Sequence, residues 1–252
     1  MSRAGDLELW SGRDAADLRR LYAALEDEDL TGALLAVEGA ARDLVEPVRR
    51  RLDRWALAVG DRLDGDHSGP AAAQAMRAVL ADEVQLRGET EDYFLPRTCH
   101  LSAVVQIRRG MPILVSAVWV IVARRAGLEA HGVGLPGHFV AQLGAPLPAV
   151  VDPYERGRPL DEAACRALVE RLSGGRLSWD PEFLDPVSDQ ALVERVLRNL
   201  LNIAEKANDG RLLYRAAHML AKLGPERAEA QLRLCAVMEA IGATPSAMRA
   251  YG

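Results

Sequence analysis

Gly132-Val133-Gly134-Leu135-Pro136-Gly137-His138-Phe139, followed fourteen residues after the histidine by Asp152-Pro153-Tyr154, decides the reading of this 252-residue chain. Phe139 to Leu143 and Ala149 to Val151 are apolar and β-branched, and Gly144-Ala145-Pro146-Leu147-Pro148 between them supplies turn chemistry. The pair reads as a β-hairpin. Folding it about Ala145 or Pro146 sets residue 138 opposite residue 152 or 154, and opposed residues of an antiparallel ladder lie roughly 4.5 to 5.5 Å apart at Cα. An Asp152 carboxylate so placed fixes the His138 tautomer and raises its basicity, which is how a base and its orienting group cooperate in nucleophilic catalysis. The same geometry also describes a purely structural His–Asp hydrogen bond at a strand end.

Upstream, Pro112 to Ala126 is apolar on every side until Arg124 and stops at Gly127. A helix with no polar face is a buried one. Pro112 suits the first helical position, and Arg124 with Arg125 complement the C-terminal end of the dipole. About 15 residues are too few to span a bilayer. A buried helix whose N-terminus faces a His/Asp hairpin is the layout of papain-like thiol enzymes, so a nucleophile is expected at or near Pro112.

From about Tyr93 to Gly174 the chain resembles the bacterial SirB-one family, a transglutaminase-like domain followed by tetratricopeptide-like helices. The residues that carry the resemblance are Arg108-Arg109-Gly110-Met111-Pro112-Ile113, the run from Val122 to Leu128, Gly132 to Phe139, Asp152-Pro153, Leu160 to Cys165, and Arg195 to Leu201. It implies an α+β, papain/transglutaminase-like core: a buried helix on a small antiparallel sheet, with N-terminal helices and a C-terminal all-α segment. It also implies that active relatives carry a cysteine near the start of this helix, and counting back from Gly127 gives Pro112. Proline is no nucleophile. The neighbours Ile113 and Leu114 supply none, and Ser116 is expected to be buried one turn further in. The family's Asn-Ser-x-Leu-Asn segment reads Thr98-Cys99-His100-Leu101-Ser102 here.

Cys99 is the thiol that is left to substitute, in a polar stretch thirteen residues before Pro112. Cys99 beside His100 also looks like half of a metal site, but no second pair follows at ligand spacing. No metal and no cofactor are expected. Cys99, Cys165 and Cys235 are odd in number and far apart, which argues against a disulfide framework. His67, His131 and His218 read as exposed or satisfied residues.

The N-terminus has no apolar export segment, so a soluble cytoplasmic protein is expected. A net charge of −5 gives no global attraction to nucleic acid, and no membrane association is expected. Along the chain, Ser11 is placed to cap a first helix carrying Leu18, Leu21, Tyr22 and Leu25. Leu44, Val48, Leu52, Trp55 and Val59 mark a second, with Pro47 tolerable only in a first turn, and Pro70 opens a third. The stretch from Asp180 to Asp189, with Pro181 and Pro186, is the expected boundary to a helical tail. The expected divisions are 1–92 as helices packed on the core, 93–180 as the core, and 188–252 as a tetratricopeptide-like segment.

Two function classes follow. In the first, the protein is non-catalytic and binds a protein or peptide partner in a regulatory role, through the cleft framed by His138, Asp152, Arg109, Gly110, Pro112, Pro136 and Gly137. In the second, it is a hydrolase or transglutaminase-type enzyme in which Cys99, or water, works with His138 and Asp152.

Overall fold

A computed structural model describes residues 4–223, with side chains from Asp14 onward. The described residues form two compact units: residues 41–93 with 97–192, and the chain up to Ala40 with Phe94–Pro96 and the chain from Val193 on. In chain order the α-helices are α1 (Ala4–Glu26), α2 (Leu30–Glu38), α3 (Arg42–Leu63), α4 (Gly69–Met76), α5 (Leu101–Ile107), α6 (Pro112–Arg125), α7 (Glu162–Ser173), α8 (Asp189–Ala207) and α9 (Gly210–Leu223). The strands are β1 (Arg87–Gly88), β2 (Arg109–Gly110), β3 (Ala130–Val133), β4 (Val140–Leu143), β5 (Ala149–Asp152), β6 (Arg158–Leu160) and β7 (Pro186–Val187).

The larger unit is mixed α+β. Its five-stranded sheet runs β6-β5-β4-β3-β7 and is antiparallel throughout, while β1 and β2 form a separate parallel pair. The hairpin expected from the sequence is β4–β5, with Leu143 paired to Ala149 and Ala141 to Val151. Its loop contains a cis peptide bond between Ala145 and Pro146.

Strand residues alternate between two apolar layers, as the period-two geometry of a strand requires. On one face Val133, Val140 and Val150 pack with Cys165, Leu168 and Val169 of α7. Ala141 and Val151, one residue along their strands, face the other way and are fully buried. That second face receives α6. All of α6 from Pro112 to Ala123 is buried, as the continuous apolar run predicts, and the helix touches both β3 and β4. Burying a Val, Ile or Leu side chain contributes about 1.5–3 kcal/mol, so this helix is the main apolar anchor of the unit. Arg124 and Arg125 end it with specific partners: Arg124 Nε donates to Ala130 O at 2.8 Å and its Nη1 to the Asp189 carboxylate, and Arg125 pairs with Asp53.

Several linear expectations differ from the structure. Ser11 lies inside α1 rather than capping it, since serine costs only a fraction of a kcal/mol in a helix that other residues sustain. Pro47 sits in the interior of α3, past its first turn, with the helix continuing through it. The helix opened by Pro70 passes at Arg77 into a π-helical stretch that ends at Glu83. The segment around Pro181 and Pro186, expected as a boundary, belongs to the core: Phe183 and Leu184 pack on the α7 layer, and Pro186 lies in the edge strand β7, where a missing N–H is tolerated. The change of unit comes instead at Val193.

In the smaller unit α1, α2 and α9 are joined through Arg215. Its Nη1 reaches Asp14 and Asp17 at 2.9 Å each, Nη2 donates to Ala36 O at 2.6 Å and Nε to Val37 O at 3.0 Å. His218 stacks on Tyr214 and is buried, not exposed; burial foremost, and Lys222 second, hold it below its ordinary pKa, with Asp14 opposing. At the turn through Asn208-Asp209-Gly210, Asp209 Oδ1 accepts the N–H groups of Arg211 and Leu212. Of the 188–252 segment expected to be tetratricopeptide-like, the part from Gly224 on lies outside the described residues.

Candidate functional site

His138 is aimed by a tight turn. Leu135-Pro136-Gly137-His138 has proline at its second position and a glycine with φ +77° at its third, and the His138 N–H donates to Leu135 O at 3.0 Å. This is the requirement of a type II turn, in which the third residue needs positive φ and proline presets the second. Pro136 and Gly137 thus act by delivering the histidine to the start of β4.

Asp152 is the last residue of β5. Extending the ladder from Ala141–Val151 puts Tyr154 directly across from His138 and Asp152 on the diagonal. The imidazole meets both. His138 Nε2 lies 2.9 Å from Asp152 Oδ2, and the Tyr154 ring stands edge-on to the imidazole at 5.8 Å between centroids. The other carboxylate oxygen, Oδ1, accepts the N–H groups of Tyr154 at 3.0 Å and Glu155 at 3.3 Å. Asp152 is 1% exposed and His138 9%. A carboxylate accepts at this distance, so the contact fits the tautomer in which Nε2 donates to Oδ2. The phenol of Tyr154 donates to Glu89 O at 2.6 Å, and burial foremost pushes its pKa up, so it stays protonated.

Behind the dyad, the chain passes very close to α6. Gly157 has φ +72°, and a Cβ there would lie 2.3 Å from the buried Trp119 ring. Only glycine fits both constraints. Its N–H donates to the backbone carbonyl of Asp152 at 2.8 Å, which ties the end of β5 to a chain segment packed on the helix beneath.

The dyad opens into a cavity of about 620 Å³ between the β5–β6 edge and α7. Its polar lining is His138, Asp152, Tyr154, Glu155, Arg158 and Arg171; its apolar lining is Ala164, Ala167, Leu168 and Leu172. No thiol and no aliphatic hydroxyl is among them. Arg158 is brought in by its pairing with Asp152 across β5 and β6. Neither arginine, nor α7, was marked by sequence reasoning. The signal available was the amphipathic Glu162–Ser173 pattern that sets Leu168 and Leu172 one turn apart, with Arg171 beside them.

The other expected site residues are distributed differently. Arg109 borders a separate cavity, Gly110 is packed against Val104, and Pro112 is buried at the first position of α6. Pro112 does mark the helix start, with Met111 before it. Ser116 is fully buried, and its hydroxyl donates to Phe139 O at 3.0 Å. Cys99 is 2% exposed, and Thr98 O accepts the Met111 N–H at 2.9 Å, which sets the Thr98–Cys99 segment against the start of α6. Cys165 lies in the apolar layer of α7, where burial foremost pushes its thiol up to about 11. A thiol held so far above neutrality is not a nucleophile.

A paired imidazole and carboxylate at the end of a hairpin, backed by a buried helix, is the frame of the transglutaminase-like class. The chain belongs to the transglutaminase-like superfamily, whose family model matches residues 46–198. A UPF0162 protein of Xylella fastidiosa (strain 9a5c) is 32% identical over 167 residues, covering 64% of this chain and 59% of that protein. A UPF0162 protein of Pseudomonas aeruginosa is 29% identical over 177 residues, 70% of this chain and 64% of that protein. F-box only protein 21 of Homo sapiens is 25% identical over 141 residues, 52% of this chain and 22% of its own length. The chain thus spans less than two thirds of the length of the bacterial relatives it matches. No solved structure gives a significant match. Among the described residues, no helix is long and apolar enough to cross a membrane.

Proposed function

We propose that this transglutaminase-like chain works by binding rather than by covalent catalysis, taking an acidic peptide segment of a partner into the cavity beside His138. The observation that carries the reading is the chemistry of the site: Pro112 stands first in α6, and the cavity that the imidazole faces is lined by no thiol or aliphatic hydroxyl. Covalent catalysis needs an activated nucleophile beside its base. The lining suits a ligand with an apolar stem against Leu168 and Leu172 and an anionic head against Arg158 and Arg171, whose forked guanidinium groups match a carboxylate. The SirB-one resemblance supports a regulatory setting for such binding.

The test is a fluorescence-anisotropy comparison of acidic and charge-neutral peptides sharing the same apolar residues. Preference for the acidic peptide, lost in an Arg158→Gln/Arg171→Gln variant that keeps its circular dichroism spectrum, supports the proposal. Equal binding of both peptides refutes it.

A second reading is favoured by the contact between Thr98 and Met111. It holds the residue before Cys99 to the residue before α6, and a thiol that reaches a helix N-terminus is favoured as the thiolate. In that reading His138 takes the Cys99 proton as the sulfur attacks an amide carbonyl, returns it to the departing amine as the C–N bond breaks, and leaves a thioester that water or a second amine opens. Rapid iodoacetamide labelling of Cys99 near neutral pH, abolished by His138→Ala, decides for it; slow labelling that is indifferent to His138 decides against it.

A further inference from the structure

We infer that a second cavity, away from the His138 site, is a binding site for a small phosphate-bearing molecule. It measures about 290 Å³, at the lower edge of the roughly 300–1,000 Å³ of ligand pockets, and is lined by Gln85, Arg87, Gln106, Ile107, Arg108 and Arg109. Three guanidinium groups and two carboxamides border it, with no carboxylate among them.

The backbone forces these charges together. β1 and β2 run parallel with Arg87 directly paired to Arg109, and the Arg87 N–H donates to Arg108 O at 3.1 Å. Like charges placed opposite one another in a ladder are destabilising, so an added negative charge stabilises the pair. Arg87 and Arg109 have no side-chain ion pair among the described residues. The carboxylate that acts on Arg109 is Glu89, whose Oε1 accepts the N–H groups of Thr90 at 2.9 Å and Glu91 at 3.0 Å, so one negative charge stands near three arginines. Arg108 reaches Val84 O at 3.4 Å.

Strain is concentrated at the same place. Gln85 and Arg108 both have φ +61°, a left-handed conformation that costs a residue with a side chain of this size. Arg108 holds it as the C-terminal cap of α5, where glycine is the usual occupant. Strained backbone of this kind clusters at ligand clamps. Three forked cations around a small volume match a multiply charged oxyanion better than a single carboxylate, and the carboxamides add neutral donors to the remaining oxygens.

The site is tested by calorimetric titration of the full chain with inorganic phosphate, pyrophosphate, a simple alkyl phosphate and acetate at matched ionic strength. A phosphate compound should bind at least tenfold tighter than acetate, and Arg87→Gln and Arg109→Gln should each weaken it at least tenfold. Tighter binding of the alkyl phosphate identifies a phosphomonoester as the ligand, and tighter binding of the inorganic anions identifies the free oxyanion. Arg158→Gln, in the other cavity, should leave in place the component of the titration that Arg87→Gln and Arg109→Gln remove; if it abolishes that component instead, the anion belongs to the His138 cavity and this inference fails. The ligand-free Arg87→Gln protein should melt no lower than the parent, because one member of a repelling pair has gone. A lower melting temperature assigns the arginine to structure, and equal binding of acetate and phosphate makes the attraction non-specific; either result overturns the inference.

Discussion

Replacing Asp152 by Asn changes one atom and inverts the logic of the dyad. In the native protein Oδ1 accepts two backbone N–H groups and Oδ2 accepts from His138 Nε2 at 2.9 Å, all at a residue 1% exposed. The asparagine carbonyl must stay on the Tyr154 and Glu155 N–H groups, because turning the amide would set its NH₂ against two donors. Its NH₂ then faces Nε2, and the imidazole must move its proton to Nδ1 to accept. A hydrogen bond to a charged group contributes about 1.5–3 kcal/mol and a neutral one about 0.5–1.5 kcal/mol, so the loss should be about 1–2 kcal/mol. For a unit of this size each kcal/mol shifts the melting temperature by about 2–4 °C, which gives a fall of about 2–8 °C. Urea denaturation followed by circular dichroism measures the energy, and long-range ¹⁵N–¹H correlation spectra of the imidazole report the tautomer. An unchanged stability together with an Nε2–H imidazole in the variant would refute the dyad geometry.

Gly157→Ala should destabilise by roughly 2–4 kcal/mol, from 1–2 kcal/mol for the left-handed backbone and the rest from overlap with the immobile Trp119 ring; a midpoint within 0.5 kcal/mol of the parent in urea would contradict the close approach. Arg215→Met should cost about 3–5 kcal/mol by leaving the buried Asp14 without its cation and Asp17 with only the more exposed Arg20, and retention of parental stability would show that the network contributes nothing. Cys165 should react with iodoacetamide at pH 7.5 only at the rate of unfolding, as judged by mass spectrometry of the native and urea-treated protein. His218 is held below its ordinary value of 6.5, so the unfolded chain binds more protons there than the folded one, and stability should fall as pH drops below about 6.5. Burial raises the Asp14 carboxyl, which works in the opposite direction at more acidic pH. His218→Phe should flatten the slope between pH 6.5 and 5.5; an unchanged slope would assign it to other groups.

The hairpin, its register to within one pair, the buried helix with Pro112 at its start, and the His138–Asp152 partnership all follow from the linear sequence. The reason is that each depends on local chemistry: strand alternation about a Gly/Pro loop, and a run without a polar face. Tertiary packing decided the rest. The cavity beside the dyad exists because α7 packs on one face of the sheet next to its edge strand β6, bringing Arg158 and Arg171 to a histidine 20 and 33 residues away in sequence. Arg109, read as part of that cleft, is drawn instead into a parallel pairing with Arg87, a contact between strands that no local periodicity announces. The Pro181–Val187 segment looked like a linker because prolines punctuate chains, yet an edge strand tolerates a residue without an N–H. What a sequence specifies directly is the conformation of each short stretch; which stretches meet, and so which charges share a cavity, is set by how their apolar faces are buried together.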